Sequence, residues 1–179
     1  MALVNNEPLF REIEVGLGRI QKEKESDIIL SPFTKDFSLR FCWSSNAMEG
    51  NTLSLEEIIS LIEYDEVRAG HTYTEYHEAK NLYQAIQELL IPFHKETVTE
   101  KWIKKGNGRI GRMLMNQELI NQNLLPIAMN PAGKYRQAFQ RYEKNGDLSL
   151  MIHQICRAEI EAIQRMECLI QRRDYHEND

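Results

Sequence analysis

The chain has 179 residues, 42% of them hydrophobic, which suits one globular domain with a real core. Its 22 Lys and Arg against 27 Asp and Glu leave a net charge of -5, which argues against direct nucleic-acid binding, where affinity rests on neutralising phosphates. Three cysteines, Cys42, Cys156 and Cys168, include no CxxC pair, so neither a disulfide framework nor a zinc site is expected.

At the N-terminus no basic start is followed by an apolar run, so no signal peptide is expected and a reducing, cytoplasmic setting is the simplest reading. Leu9, Ile13, Val15, Leu17 and Ile20 predict a helix over 7–24. Ser31-Pro32 predicts a loop over 25–35. A helix over 36–49 follows, capped by Asp36, carrying Phe37, Leu39, Phe41, Cys42 and Trp43, and stopped by Gly50-Asn51. Thr52 or Ser54 starts the next helix, Ser54 with Glu57 three residues on having the pattern of a capping box, and it bears Leu55, Ile58, Ile59 and Ile62. Gly70-His71-Thr72 marks a break, and a helix over 74–90 ends before Pro92. A helix starting at Thr97 has barely begun when glycines interrupt it at Gly106. Beyond them Ile110, Met113, Leu114, Leu119 and Ile120 predict an apolar helix over 110–122. Pro126 and Pro131-Ala132-Gly133 mark loops, 133–143 is helical, and 144–147 is a turn. Asp147 or Ser149 then caps a long helix to about Arg173, with 174–179 as a frayed tail. The expected fold class is all-α, and no stretch approaches the ~18 apolar residues of a membrane span.

Gly106-Asn107-Gly108 lies just ahead of an apolar helix. Glycines there let the backbone approach a ligand closely, and N–H groups at a helix N-terminus attract an anion. Arg109 and Arg112, three apart, occupy neighbouring positions on the first turn, and a guanidinium fork matches a phosphate. The constellation reads as a di- or triphosphate cradle. A tight turn with two solvated arginines would give the same short pattern. A Walker loop is excluded, because no Gly-Lys-Ser/Thr follows, and no strand precedes the turn as a Rossmann site requires.

The string from Gly106 to Asn116 resembles the Fic-family motif, His-x-Phe-x-[Asp/Glu]-Gly-Asn-Gly-Arg-x-x-Arg, and the helix after it. Upstream, Ser45-Asn46-Ala47-Met48-Glu49-Gly50 is similar to that family's inhibitory motif, [Ser/Thr]-x-x-x-Glu-[Gly/Asn]. The helix bearing Glu78 and Asn81, and the stretch 124–165, also look Fic-like. The resemblance implies a Fic-like helical bundle and a protein adenylyltransferase, which moves AMP from Mg2+-bound ATP to a hydroxyl of a target protein. It implies phosphate binding by Gly106, Asn107, Gly108, Arg109, Gly111 and Arg112, with Arg112 reaching the γ-phosphate. Tyr135 would line the adenine pocket, although a core tyrosine fits as well. Glu49, one helical turn after Ser45, would pair with Arg112 and block ATP, so the implied subclass carries its inhibitory helix ahead of the core. The implied domains are an extension over 1–35, a core over 36–173 with the inhibitory motif at 45–50, and a tail over 174–179.

The pattern is broken in two places. The catalytic histidine slot holds Lys101 and the metal-ligand slot holds Lys105, a cation that cannot bind Mg2+ while charged. The family also places more helix and a β-hairpin flap ahead of the motif. Here 97–103 runs almost straight into Gly106, so a segment around 103–105 is either deleted from this chain or present in a longer form of it. Two functions follow: an adenylyltransferase in complete form, or an inactive nucleotide-binding regulatory module. A helical DNA-binding or partner-binding domain is a blander third, and the sequence leaves room for a homo-oligomer.

Overall fold

The computed structural model describes residues 3–21, 26–89 and 108–177. Among them the fold is all-α: α1 (Glu7–Ile20), α2 (Asp27–Ala47), α3 (Leu55–Tyr64), α4 (Tyr73–Leu89), α5 (Gly108–Asn121), α6 (Tyr135–Asn145) and α7 (Ser149–Glu177), with no strand. Among the described residues no helix is long and apolar enough to cross a membrane. The helix expected from Thr97 and the segment around 103–105 lie outside the described residues, as do Lys101, Lys105, Gly106 and Asn107.

The chain divides into two units, Met1–Lys35 with Leu124–Asp179, and Asp36–Asn123. In the first, α1 and α6 pack on α7. Gly16 makes the α1 contact close: a Cβ there would meet Ile163 Cγ2 at 2.8 Å. Ile20 is fully buried, but Val15 is 58% exposed, because it falls off the 3.6-residue stripe that Leu9, Ile13 and Ile20 follow. Asn6 holds the start of α7, donating to the Ser149 carbonyl at 2.9 Å. The α6–α7 turn closes on Gly146 at φ 70°, a left-handed conformation that suits glycine. Asp147 accepts from the Ser149 N–H at 2.8 Å and pairs with Arg141 at 2.5 Å. Where a frayed tail was expected, α7 continues to Glu177.

A single helix replaces the expected loop over 25–35. Pro32 lies inside α2. It costs one i→i−4 hydrogen bond near the helix start, while Ile29, Phe33, Phe37 and Phe41, spaced four apart, are all between 2% and 4% exposed. That continuous apolar stripe outweighs the proline, and Asp36, expected as a cap, instead holds Arg40 one turn on at 2.9 Å.

In the second unit α3 packs on α4, and α4 on α5. The Ser54 capping box forms as read: Ser54 Oγ accepts from the Glu57 N–H at 3.2 Å, and Glu57 Oε2 from the Ser54 N–H at 2.9 Å. A second box opens α4. Glu75 Oε2 accepts from the Thr72 N–H at 2.8 Å, and Thr72 Oγ1 from the Glu75 N–H at 3.3 Å. Hydrogen bonds from Thr52 and Thr72 hold the Glu75 carboxyl at about 2. Backbone and side-chain hydrogen bonds from Ser54 hold Glu57 below its ordinary value, and those from Ser149 do the same for Asp147. Depressed pKa values mean that these groups stabilise the fold fully above the usual carboxylate range. That contribution is lost as pH falls through their folded values. Thermal melts between ~pH 5 and ~pH 2 should therefore show a falling Tm, shallower in Glu75→Gln.

Cys42 and Cys156 are buried free thiols and Cys168 an exposed one. Burial pushes the Cys42 thiol up to about 12, so it is an inert core group that donates to the Ala79 carbonyl at 3.2 Å.

Candidate functional site

The residues buried by α5 are Arg112 and Asn116, one turn apart, whereas Ile110 is 42% exposed. This reverses the expectation of an apolar helix face, since an arginine is almost never fully buried unless paired. Arg112 is 2% exposed. Its Nε donates to Ser45 Oγ at 2.9 Å, and Nη2 donates both to the Ser45 carbonyl and to Glu49 Oε1, each at 2.9 Å. Asn116 Nδ2 donates to the Arg112 carbonyl at 3.1 Å.

The end of α2 explains why these partners stand where they do. Asn51 N–H donates to the Asn46 carbonyl and Gly50 N–H to the Ala47 carbonyl, each at 3.1 Å. With Gly50 at φ +97°, this is a Schellman stop. It fixes Glu49 as the last residue of the helix end. The carbonyls of the final turn carry negative potential, and Glu49 adds more. Arg112 answers both, capping one carbonyl and pairing the carboxylate.

Glu49 also meets the first residue of α5. A Cβ built on Gly108 would overlap Glu49 Oε1 and lie 2.8 Å from Arg112 Nη1. The carboxylate therefore occupies the position at the α5 N-terminus where an anion is favoured, within reach of a buried guanidinium. Gly108→Ala should push the carboxylate out of this position, and a crystal structure of the variant with the Glu49–Arg112 contact unchanged would contradict the crowding.

Arg109 points to a second set of partners. Nη1 donates to Asn46 Oδ1 at 3.2 Å and Nη2 contacts Glu78 Oε1 at 3.4 Å. Asn51 Nδ2 reaches Glu78 Oε2 at 3.4 Å and the Glu75 carbonyl at 3.0 Å. The two arginines thus diverge, one to Ser45 and Glu49, the other to Asn46 and Glu78. The structure brings together Ser45, Glu49, Gly108 and Arg112, with Arg109 beside them on Asn46, whereas a Cβ added at Gly50 or Gly111 would meet nothing within 4 Å. Tyr135 belongs to the first unit, where its ring meets Phe139 edge-on with centroids 5.0 Å apart.

Asn46 and Asn51 escaped notice in the sequence, one as a variable motif position and the other as a helix stop. Their signal was a polar run, Ser44-Ser45-Asn46, continuing a helix whose preceding turn is Phe41-Cys42-Trp43. All three residues of that run are at most 2% exposed.

Among the described residues no group of three His, Cys, Asp or Glu could hold a metal ion. With Lys105 in the slot where the resemblance places a ligand, the residues present do not fit Mg2+. Compared with known proteins, the chain matches no family model and no curated sequence.

Proposed function

We propose that the second unit is the phosphate-binding half of a Fic-like protein adenylyltransferase, held shut by Glu49. The observation that supports this most is the buried guanidinium of Arg112, paired with a carboxylate at the N-terminus of α5. In this reading Glu49 takes the place of a phosphate. ATP enters when the carboxylate leaves, and its γ-phosphate pairs with Arg112. Gly108, with no side chain, allows the close approach, and Arg109 is kept in place by Asn46 and Glu78. In a chain carrying the His-x-Phe segment, that histidine takes the proton of a target hydroxyl, the hydroxyl oxygen bonds to the α-phosphorus of ATP, and the α–β bond breaks with pyrophosphate leaving.

A second reading has a specific observation in its favour. Lys101 and Lys105 stand where the base and the metal ligand belong. On that reading the chain binds a nucleotide and transfers nothing. Labelled ATP separates the two: Glu49→Gly in a chain carrying the His-x-Phe segment modifies itself in the first case, and only binds in the second. Failure of Glu49→Gly to bind ATP at all would remove both.

A further inference from the structure

We propose that His71 is a proton-operated latch on the Glu49 clamp, so that acid conditions hold the site shut and loss of one proton loosens it. The proposal rests on the phosphate-site reading above for its consequence, but the latch itself stands on hydrogen-bond counting. His71 Nε2 lies 2.9 Å from Glu57 Oε1, and Nδ1 lies 3.0 Å from Thr52 Oγ1. Thr52 Oγ1 lies 2.6 Å from Glu75 Oε1, the length of a hydroxyl donating to a carboxylate. A carboxylate only accepts, so Nε2 carries a proton. The single hydroxyl proton of Thr52 goes to Glu75, so Nδ1 must carry one too. The chain Glu57–His71–Thr52–Glu75 is complete only with the imidazolium.

Its position gives the latch leverage. Glu57 and Glu75 are the carboxylates of the two capping boxes that open α3 and α4. Each also takes a bond from beside the other box, Glu57 from His71 and Glu75 from Thr52, whose N–H donates to Glu75 Oε1 at 2.9 Å as well. Thr52 directly follows Asn51, the residue that closes the Schellman stop and reaches Glu78, the partner of Arg109. Among the described residues, His71 faces Glu57 from α3 and Tyr76 from α4, and reaches Glu75 of α4 through Thr52. The Tyr76 ring is edge-on to the imidazole at 6.0 Å, and its hydroxyl donates to the Arg68 carbonyl. When Nδ1 gives up its proton to water, the lone pair competes with Glu75 for the Thr52 hydroxyl, and one of the two contacts breaks. The 49–52 segment keeps the Thr52 N–H bond to Glu75 and the Schellman stop but loses one of its fastenings, which widens the motion open to Glu49.

The test compares variants at fixed pH by NMR, without nucleotide. On the acid side of the histidine range, ~pH 5, wild type should show both imidazole N–H signals and a slowly exchanging Arg112 Nη2–H, the one bonded to Glu49. His71→Ala and Thr52→Val should exchange that proton about tenfold faster at the same pH, the effect of losing one charge-assisted bond. At ~pH 8 wild type should match His71→Ala. Equal exchange in wild type and Thr52→Val at ~pH 5 would overturn the latch, and Thr52→Val decides the matter should His71→Ala not fold. ATP binding is a separate arm. If exchange responds as expected while Glu49→Gly never binds ATP, the latch stands and the nucleotide reading falls. If Glu49→Gly binds ATP and exchange ignores His71, the reverse holds.

Discussion

Replacing Glu49 with glycine raises the affinity of the chain for ATP by at least about tenfold, ~1.4 kcal/mol, measured by calorimetry at constant pH and salt. Two effects act in the same direction. The carboxylate no longer occupies the Arg112 fork, and it no longer repels the triphosphate at the α5 N-terminus. The fold tolerates the loss. Glu49 is 33% exposed, so its pair with Arg112 contributes at most about 1 kcal/mol after solvent screening. Arg112 keeps both of its bonds to Ser45. A variant that melts near wild type and still ignores ATP would end the autoinhibition reading.

Arg112→Ala has the opposite profile. The Arg112 side chain is 3% exposed, and its removal strips partners from Ser45 Oγ, from the Ser45 carbonyl and from Glu49. Loss of the bonds to the buried Ser45 hydroxyl and carbonyl costs about 3 kcal/mol, which for a chain of this size is a Tm drop of roughly 6–12 °C. Placed on Glu49→Gly, it should also abolish the gained ATP affinity. Unchanged ATP binding in that double variant would show that the guanidinium is a structural cap and nothing else. The two experiments together separate a clamp from a cap, because a cap alone predicts destabilisation without any change in ligand affinity.

The helices were largely legible because their signals are local. The Ser54 box, the Gly50 stop and the 3.6-residue stripe of α1 depend on residues within a turn or two of each other. Pro32 misled for the same reason: its local signal is a break, while the stripe from Ile29 to Phe41 that overrides it runs across roughly three turns of burial. The site was legible in part. The pairing of Glu49 with Arg112 came from two motifs 63 residues apart, and no periodicity would have joined them. What sequence pattern could not supply was the inverted face of α5. An arginine looks like a surface residue until a tertiary partner covers it, and the partner of Arg112 is the polar end of another helix. The His71 chain was hidden likewise, since a histidine in a Gly-His-Thr break looks like solvated loop.

The polar underside of α5 has a mechanical consequence. Most helices are held by apolar area, which has no direction and gives way gradually. The residues that α5 buries are a guanidinium and an amide, so its seat depends on hydrogen bonds that are either in line or absent. Such a fastening behaves as a catch and not as an adhesive. It keeps the helix at one angle for as long as those bonds stay in line.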